Sequence, residues 1–149
     1  HEAHKTWPDA ESELREAVDF LRYYADQAEL PDIVDQDPLG PVACISPWNF
    51  PVNLTFAPLA NVFAAGNRAM IKPSEFTPSV SEVMADIVRE AWDEKEVAIF
   101  TGGPETGAAF SGLPFDHLLC TGASGVARQI MAAAAKSLVP VTLELGGNK

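Results

Sequence analysis

Several short stretches of this chain carry side chains able to do chemistry, and each stands where an apolar run gives way to a turn. In ISPWNFP (45–51), Pro47 and Pro51 flank Trp48 and Asn49. A turn stiffened this way could hold the Asn49 side-chain amide as a fixed donor to a developing oxyanion, where preorganisation matters most. The alternative is a rigid loop with a packed tryptophan and an asparagine that caps the following helix. In IKPSEFTP (71–78), Lys72 ends an apolar run and Glu75 follows three residues on. The pair could grip the hydroxyls of a ribose, and Glu75 would repel a phosphate on the 2′ oxygen. A proline-stiffened loop with Ser74 or Thr77 as a helix cap reads equally well.

FTGGPETGAAF (100–110) and CTGASGVARQI (120–130) are glycine-bearing turns from strand to helix. Such turns let backbone N–H groups approach a pyrophosphate, and a helix amino terminus favours its charge. Neither carries the fingerprint G-x-G-x-x-G, and tight turns needed only for folding are the competing explanation. In VTLELGGNK (141–149), Glu144 rides a strand-like run into a Gly-Gly turn, a setting for a general base or for a plain strand residue. Cys44 lies inside an apolar run and Cys120 ends one, with no activating histidine nearby in sequence, so both read as buried small hydrophobes. His1, His4 and His117 lack metal-ligand spacing, so no metal is expected. His117 reads as a strand residue with a satisfied hydrogen bond, and Trp7, Trp92 and Arg128 as structural contacts.

The 149 residues suffice for one ordinary domain, and 47% hydrophobic with 21% charged residues is a globular composition. No apolar run approaches the ~18 residues that span a bilayer, and the acidic, polar start is unlike a secretory leader. A soluble protein is expected, with no membrane partner. Two cysteines give no disulfide framework and suggest a reducing, cytoplasmic compartment. A net charge of −11 argues against nucleic acid as a partner and requires any anionic ligand to be held by local donors.

The elements that must position these residues follow from periodicity. Leu14, Ala17, Val18, Leu21 and Tyr24 recur at helical spacing, which predicts an amphipathic helix over 12–28 with an acidic outer face, capped by Asp9 or Ser12. PDIVDQDPLGP (31–41) reads as a linker or short irregular strand and as the best candidate boundary. That divides the chain into a helical segment with linker, 1–37, and a dinucleotide-binding domain, 38–149. From there strands are predicted at 42–46, 68–72, 97–101, 117–121 and 141–145. Helices are predicted at 53–65 (kinked by Pro58 and closed by Gly66), 78–92 and 125–138. The alternation implies an α/β fold, a parallel sheet with helices on both faces, and a ligand at the carboxyl ends of the strands.

Taken in order, ISPWNFP, AAGNRAMIKPSE, the GGPETG turn, CTGASGVAR and LELGG resemble the aldehyde dehydrogenase superfamily, from about Pro38 to Asn148. ELREAVDFLRYYADQA and GPVACISPWNFP are similar to the glutamate-semialdehyde dehydrogenases of proline breakdown, IKPSEFTP and LPFDHLL to the coniferyl or aryl branch. The two hints disagree, so no substrate is chosen. The resemblance implies a Rossmann-like fold, NAD as cofactor (with Glu75 disfavouring NADP) and an aldehyde as substrate of the full enzyme. It implies that Asn49 stabilises the oxyanion and that Lys72 and Glu75 hold the adenosine ribose. Ile45, Ser46, Pro47 and Trp48 would line the cofactor cleft, with Gly103, Pro104 and Gly107 near the adenine. Gly122, Ala123 and the residues to Val126 would lie against the pyrophosphate. Glu144 would be the general base that activates water, and Leu145 and Gly146 would border the nicotinamide.

Departures from the family pattern are specific. Cys120 and Ala123 stand where Phe and Ser are usual, and Ala127 where Gly is usual, which would crowd its helix against the sheet. PDIVDQDP is shorter than the family's oligomerising excursion, putting the standard dimer in doubt, and Asn148 stands where Lys is commoner. The family's nucleophilic cysteine lies beyond the position of Glu144, in a second domain, and neither Cys44 nor Cys120 matches it. Three expectations stay open. The chain is the cofactor-binding part of a complete enzyme and inactive alone, or a stand-alone nucleotide-binding module without redox chemistry. Otherwise it is an interaction piece whose exposed sheet face binds a partner chain, a homo-oligomer or a missing catalytic domain.

Overall fold

A computed structural model describes residues 1–30 and 37–146. Most of the predicted linker and Asn148 lie outside the described residues. Helix α1 spans Trp7–Gln27. Then come β1 (Pro41–Ile45), α2 (Asn53–Ala64) and β2 (Arg68–Lys72). They are followed by α3 (Pro78–Ala91), β3 (Val97–Ile99) and α4 (Pro104–Ser111). The chain continues through β4 (His117–Gly122) and α5 (Ser124–Ala134) to β5 (Val141–Leu145).

The five strands form one parallel sheet in the order β3-β2-β1-β4-β5. Alternate residues of each strand serve two separate cores, as the two-residue side-chain period requires. Val42 and Cys44 of β1 and Ala69 and Ile71 of β2 pack with Phe56 and Leu59 of α2 and Met84 and Val88 of α3. On the other face Ala43, Leu118 and Cys120 pack with Phe110 of α4 and Ile130 and Ala134 of α5. The winding therefore reverses at β1, with α2 and α3 on one face and α4 and α5 on the other. This is the α/β architecture expected from the alternation of apolar runs.

Several boundaries and faces differ from the sequence reading. Helix α1 starts before the predicted Ser12, because Thr6 is its N-cap, accepting from Asp9 N, and Pro8 sits in its first turn. Its inward stripe is also turned: Glu13 and Ala17 are buried, whereas Leu14 and Val18 are exposed. The reason is that α1 packs along α2, where Glu13 meets two backbone N–H groups. Helix α2 runs through Pro58 and ends as predicted at Gly66, which takes φ +72° and donates to the Phe63 carbonyl at 2.8 Å. Ala127 is fully buried within α5, so the alanine is accommodated against the sheet.

Helix α5 stops at Ala134 rather than at Leu138. A 3-10 turn, Ala135–Ser137, follows, and Leu138 takes the left-handed conformation at φ 55°. This reversal lets Val139 donate to the Ala134 carbonyl and enter the core. Leu138 is 88% exposed, so the side chain gains nothing for the strain of that conformation. Leu138→Gly is therefore expected to raise stability by about 0.5–1 kcal/mol, read as a higher urea midpoint with an unchanged m-value. A lower midpoint would show that Leu138 makes a contact worth more than the strain.

Candidate functional site

Strand register brings the predicted residues to one edge. Ile45 lies beside Lys72 on one side and Cys120 on the other. Thr121 lies beside Glu144, and Gly122 beside Leu145. The turns after β1, β2, β4 and β5 thus share the carboxyl edge, and the glycine turn after β3 joins them. There Gly102 takes φ +143°, and a Cβ on it would collide with the Thr106 side chain.

The turn after β1 is tied down at several points. Ser46 is buried, its N–H donates to the Lys72 carbonyl at 3.3 Å, and its hydroxyl lies 2.6 Å from that of Thr55. Thr55 Oγ1 also donates to the Pro51 carbonyl at 2.6 Å. Trp48 is 40% exposed and meets the His4 ring edge-on, with centroids 5.9 Å apart. Asn49 is exposed and does not cap α2, whose N-cap, Val52, offers no side-chain acceptor. Instead Glu13 Oε1 accepts from Val52 N at 2.8 Å and Asn53 N at 3.1 Å. Asn49 lines a depression of about 400 Å³ with His4, Lys5, Ser12, Glu13 and Glu16.

Lys72 is 3% exposed. Its ammonium donates to the Pro73 carbonyl at 2.6 Å and lies 3.7 Å from Glu75. Burial holds this ammonium below the ordinary lysine range, while Glu75 pulls it the other way. Thr77 is the N-cap of α3 by position, but neither its side chain nor that of Ser74 bonds a helix N–H. Ser74 accepts from Phe76 N within its own turn, and the buried Thr77 hydroxyl has no hydrogen-bond partner among the described residues. The N–H groups of Ser79 and Val80 donate to Glu2, each at 3.1 Å. Hydrogen bonding at Ser79 holds the Glu2 carboxyl below its usual range.

The turn after β4 is built differently. Ala123 is the N-cap of α5 and has no side chain to spend on the helix N–H groups. Apart from chain neighbours and the helix's own backbone, no heavy atom of the described residues stands within 4 Å of where a Cβ on Gly122 or Gly125 would be. An open cradle of small residues at a helix start, on the same sheet edge as a buried lysine and its carboxylate, fits a dinucleotide. Gly103 and Pro104 open α4, and Gly107 inside it borders open space. Val126 is half-exposed on the first turn of α5.

Glu144 is exposed and faces the α1 and α2 side of the sheet. It lines a cleft of about 550 Å³ with Phe20 and Tyr24 of α1, Asn53, Leu54 and Pro58 of α2, and Leu119 and Thr121 of β4. Leu145 and Gly146 continue the edge, both exposed. Asn49 and Glu144 therefore line different depressions, with the first turn of α2 between them. His117 pairs with Thr142 Oγ1 at 2.9 Å, as a satisfied strand residue would. The Trp92 ring lies tilted against Phe63, with centroids 5.5 Å apart, while Trp7 is 84% exposed. Among the described residues no helix is long and apolar enough to cross a membrane, and no three acidic, histidine or cysteine groups gather to hold a metal.

The sequence reading missed Glu13, which it placed on a solvated face. Two signals were available: Glu13 precedes Ala17 and Leu21 by one and two helical repeats, and Val52, immediately before Asn53, has no capping side chain.

Both cysteines are buried, and burial pushes the Cys44 thiol up to about 12 and the Cys120 thiol up to about 11 from an ordinary 9.0. The folded chain then keeps thiol protons that the unfolded chain releases. Stability from this source is complete below pH 9.0 and declines as pH rises toward about 11–12. Native chain at about pH 8 should leave Ellman's reagent uncoloured until urea is added, since only the thiolate reacts. Cys44→Ala/Cys120→Ala should lose less stability than the parent between about pH 8 and pH 10.5. Rapid native labelling would contradict the buried placement.

A sequence model described as the aldehyde dehydrogenase family matches residues 1–149. A probable coniferyl aldehyde dehydrogenase of Caulobacter vibrioides is 68% identical over 114 residues, which cover 76% of this chain and 24% of that protein. A coniferyl aldehyde dehydrogenase of a Pseudomonas species is 58% identical over the same shares. The chain thus spans about a quarter of the length of these curated relatives. The solved structure of proline utilization A from Bradyrhizobium japonicum superposes with a TM-score of 0.87 at 32% identity, over 99% of this chain and 17% of that one. A Mycobacterium tuberculosis aldehyde dehydrogenase complexed with NAD+ gives a TM-score of 0.68 at 36% identity, over 75% of this chain and 24% of that one. With the family model matched end to end and the parallel sheet shared with these structures, the chain belongs to the aldehyde dehydrogenase family.

Proposed function

We propose that this chain is the dinucleotide-binding part of an aldehyde dehydrogenase that uses NAD, with residues 38–149 as the binding unit. The whole protein oxidises an aldehyde to a carboxylic acid. The observation that carries the reading is the convergence of the Ser46–Asn49 turn, the Lys72–Glu75 pair, the open Gly122–Gly125 cradle and Glu144 at one sheet edge. The names of the two coniferyl aldehyde dehydrogenases favour an aromatic aldehyde as substrate.

Each residue has a role in that reaction. Lys72 and Glu75 hold the adenosine ribose, and the carboxylate of Glu75 disfavours a 2′-phosphate. Gly103, Pro104 and Gly107 border the adenine, and Gly122, Ala123 and Val126 lie against the pyrophosphate at the start of α5. Ile45, Ser46, Pro47 and Trp48 form the cleft wall, while Leu145 and Gly146 border the nicotinamide. When bound, the dinucleotide supplies the hydride acceptor. Asn49 donates its side-chain N–H to the aldehyde oxygen as negative charge gathers there. Glu144 takes the proton from the water that releases the acid. Cys44 and Cys120 do not supply the family's thiolate, because both are buried in the cores.

Titration calorimetry tests this reading. NAD is expected to bind the chain more tightly than NADP. Lys72→Ala should weaken NAD by about tenfold or more, the loss of a charge-assisted hydrogen bond. Glu75→Gln should narrow the gap between the two dinucleotides. No heat with either at millimolar concentration would overturn the assignment. The chain alone should form no NADH from an aromatic aldehyde, and NADH formation abolished by Glu144→Gln would overturn that part.

A further inference from the structure

We propose that Glu13 is a positioning residue for Asn49, acting through the first turn of α2, with Lys5 as its counter-charge. The inference rests on the oxyanion role assigned to Asn49 above. Neighbours of Asn49 on both sides are clamped from elsewhere in the chain. Trp48 is met by His4, and Lys5 Nζ stands 3.0 Å above the ring centre of Phe50. Thr55 holds the Pro51 carbonyl. Glu13 then takes the next two N–H groups, at Val52 and Asn53, with one oxygen and Lys5 with the other, at 3.3 Å. The adjacent Glu16 accepts from the Asn53 side chain at 2.6 Å.

The physical need for Glu13 follows from the local sequence. A helix amino terminus leaves N–H groups unsatisfied, and α2 begins without a capping side chain. Its start is buried, since Asn53 and Thr55 are both buried, so water cannot serve these donors freely. A carboxylate that is itself 5% exposed supplies the acceptor and complements the helix dipole. The prolines limit the backbone of the turn but do not fix where it sits; the carboxylate sets its far end relative to β1. An oxyanion donor is sensitive to that placement, because its geometry must be ready before charge develops.

Ile130→Val serves as the control, a truncation in the core on the opposite face of the sheet from α1 and α2. NMR of the 149-residue chain, without any dinucleotide, can follow the side-chain amide of Asn49 and exchange at Val52 and Asn53. Glu13→Ala should speed exchange at those two amides at least tenfold beyond any global loss of stability and shift or broaden the Asn49 signals. Glu13→Gln, which keeps an acceptor oxygen, should restore most of both. Ile130→Val should lower the urea midpoint and leave Asn49 unmoved. If Glu13→Ala does not fold, Lys5→Met, which removes the counter-charge, should shift or broaden the Asn49 signals in its place. Asn49 signals unchanged in Glu13→Ala, or in Lys5→Met where Glu13→Ala does not fold, would overturn the proposal, as would equal shifts from Ile130→Val. Absence of dinucleotide binding would instead count against the function proposed for the chain and leave this readout standing.

Discussion

Parallel pairing of β1 with β2 on one side and β4 on the other is the constraint on which the rest depends. Because β1 is central and the winding reverses there, the turns that leave the strands gather along one edge. Residues as far apart as Ile45, Lys72 and Cys120 become neighbours by register alone, and Thr121 brings Glu144 into the same row. Open α/β sheets bind ligands at this kind of reversal, since the helices diverge and leave a crevice. Along this edge lie a nearly buried ammonium, the proline-flanked turn that carries Asn49 and a cradle of small residues.

Charge decides which helix start is left for an anion. A chain with net charge −11 has no general attraction for a dinucleotide, so the donors must be local. At α2 and α3 the amino-terminal N–H groups already hold carboxylates, from Glu13 and Glu2. Helix α4 carries Glu105 in its own first turn. Helix α5 begins with Ala123, Ser124 and Gly125, has no acidic residue in its first turn and, among the described residues, has no carboxylate bonded to its first N–H groups. Acids at the other helix starts stabilise the fold and leave the start of α5 as the one proposed here for a pyrophosphate.

The fold was legible because its signals are local. Short runs such as RAMIK and VTLEL bounded by Gly, Pro and Asn marked strands whose spans match the structure. Gly66 announced the end of α2 because only a left-handed turn suits that position. The candidate site was legible as far as it lies on turns directly after strands. What the sequence hid depends on contacts across the chain. Glu13 looked solvated because acids on a helix usually are, and only the packing of α1 on α2 turns it inward. Thr77 and Ser74 looked like caps, yet Glu2 fills that role from the other end of the chain. The end of α5 was overrun because alanines continue a helical pattern past the point where the chain must reverse to bury Val139.

The central claim is that a dinucleotide lies along the carboxyl edge with its pyrophosphate at α5. Amide chemical shifts of the labelled chain, recorded as NAD is added, test it most directly. The predicted result is movement at Ser46–Trp48, Lys72–Glu75 and Gly122–Val126, with Arg68, Val97 and His117 at the opposite ends of their strands unchanged. Shifts centred on the amino ends of the strands, or on the starts of α2 and α3 with none at Gly122–Val126, would contradict it.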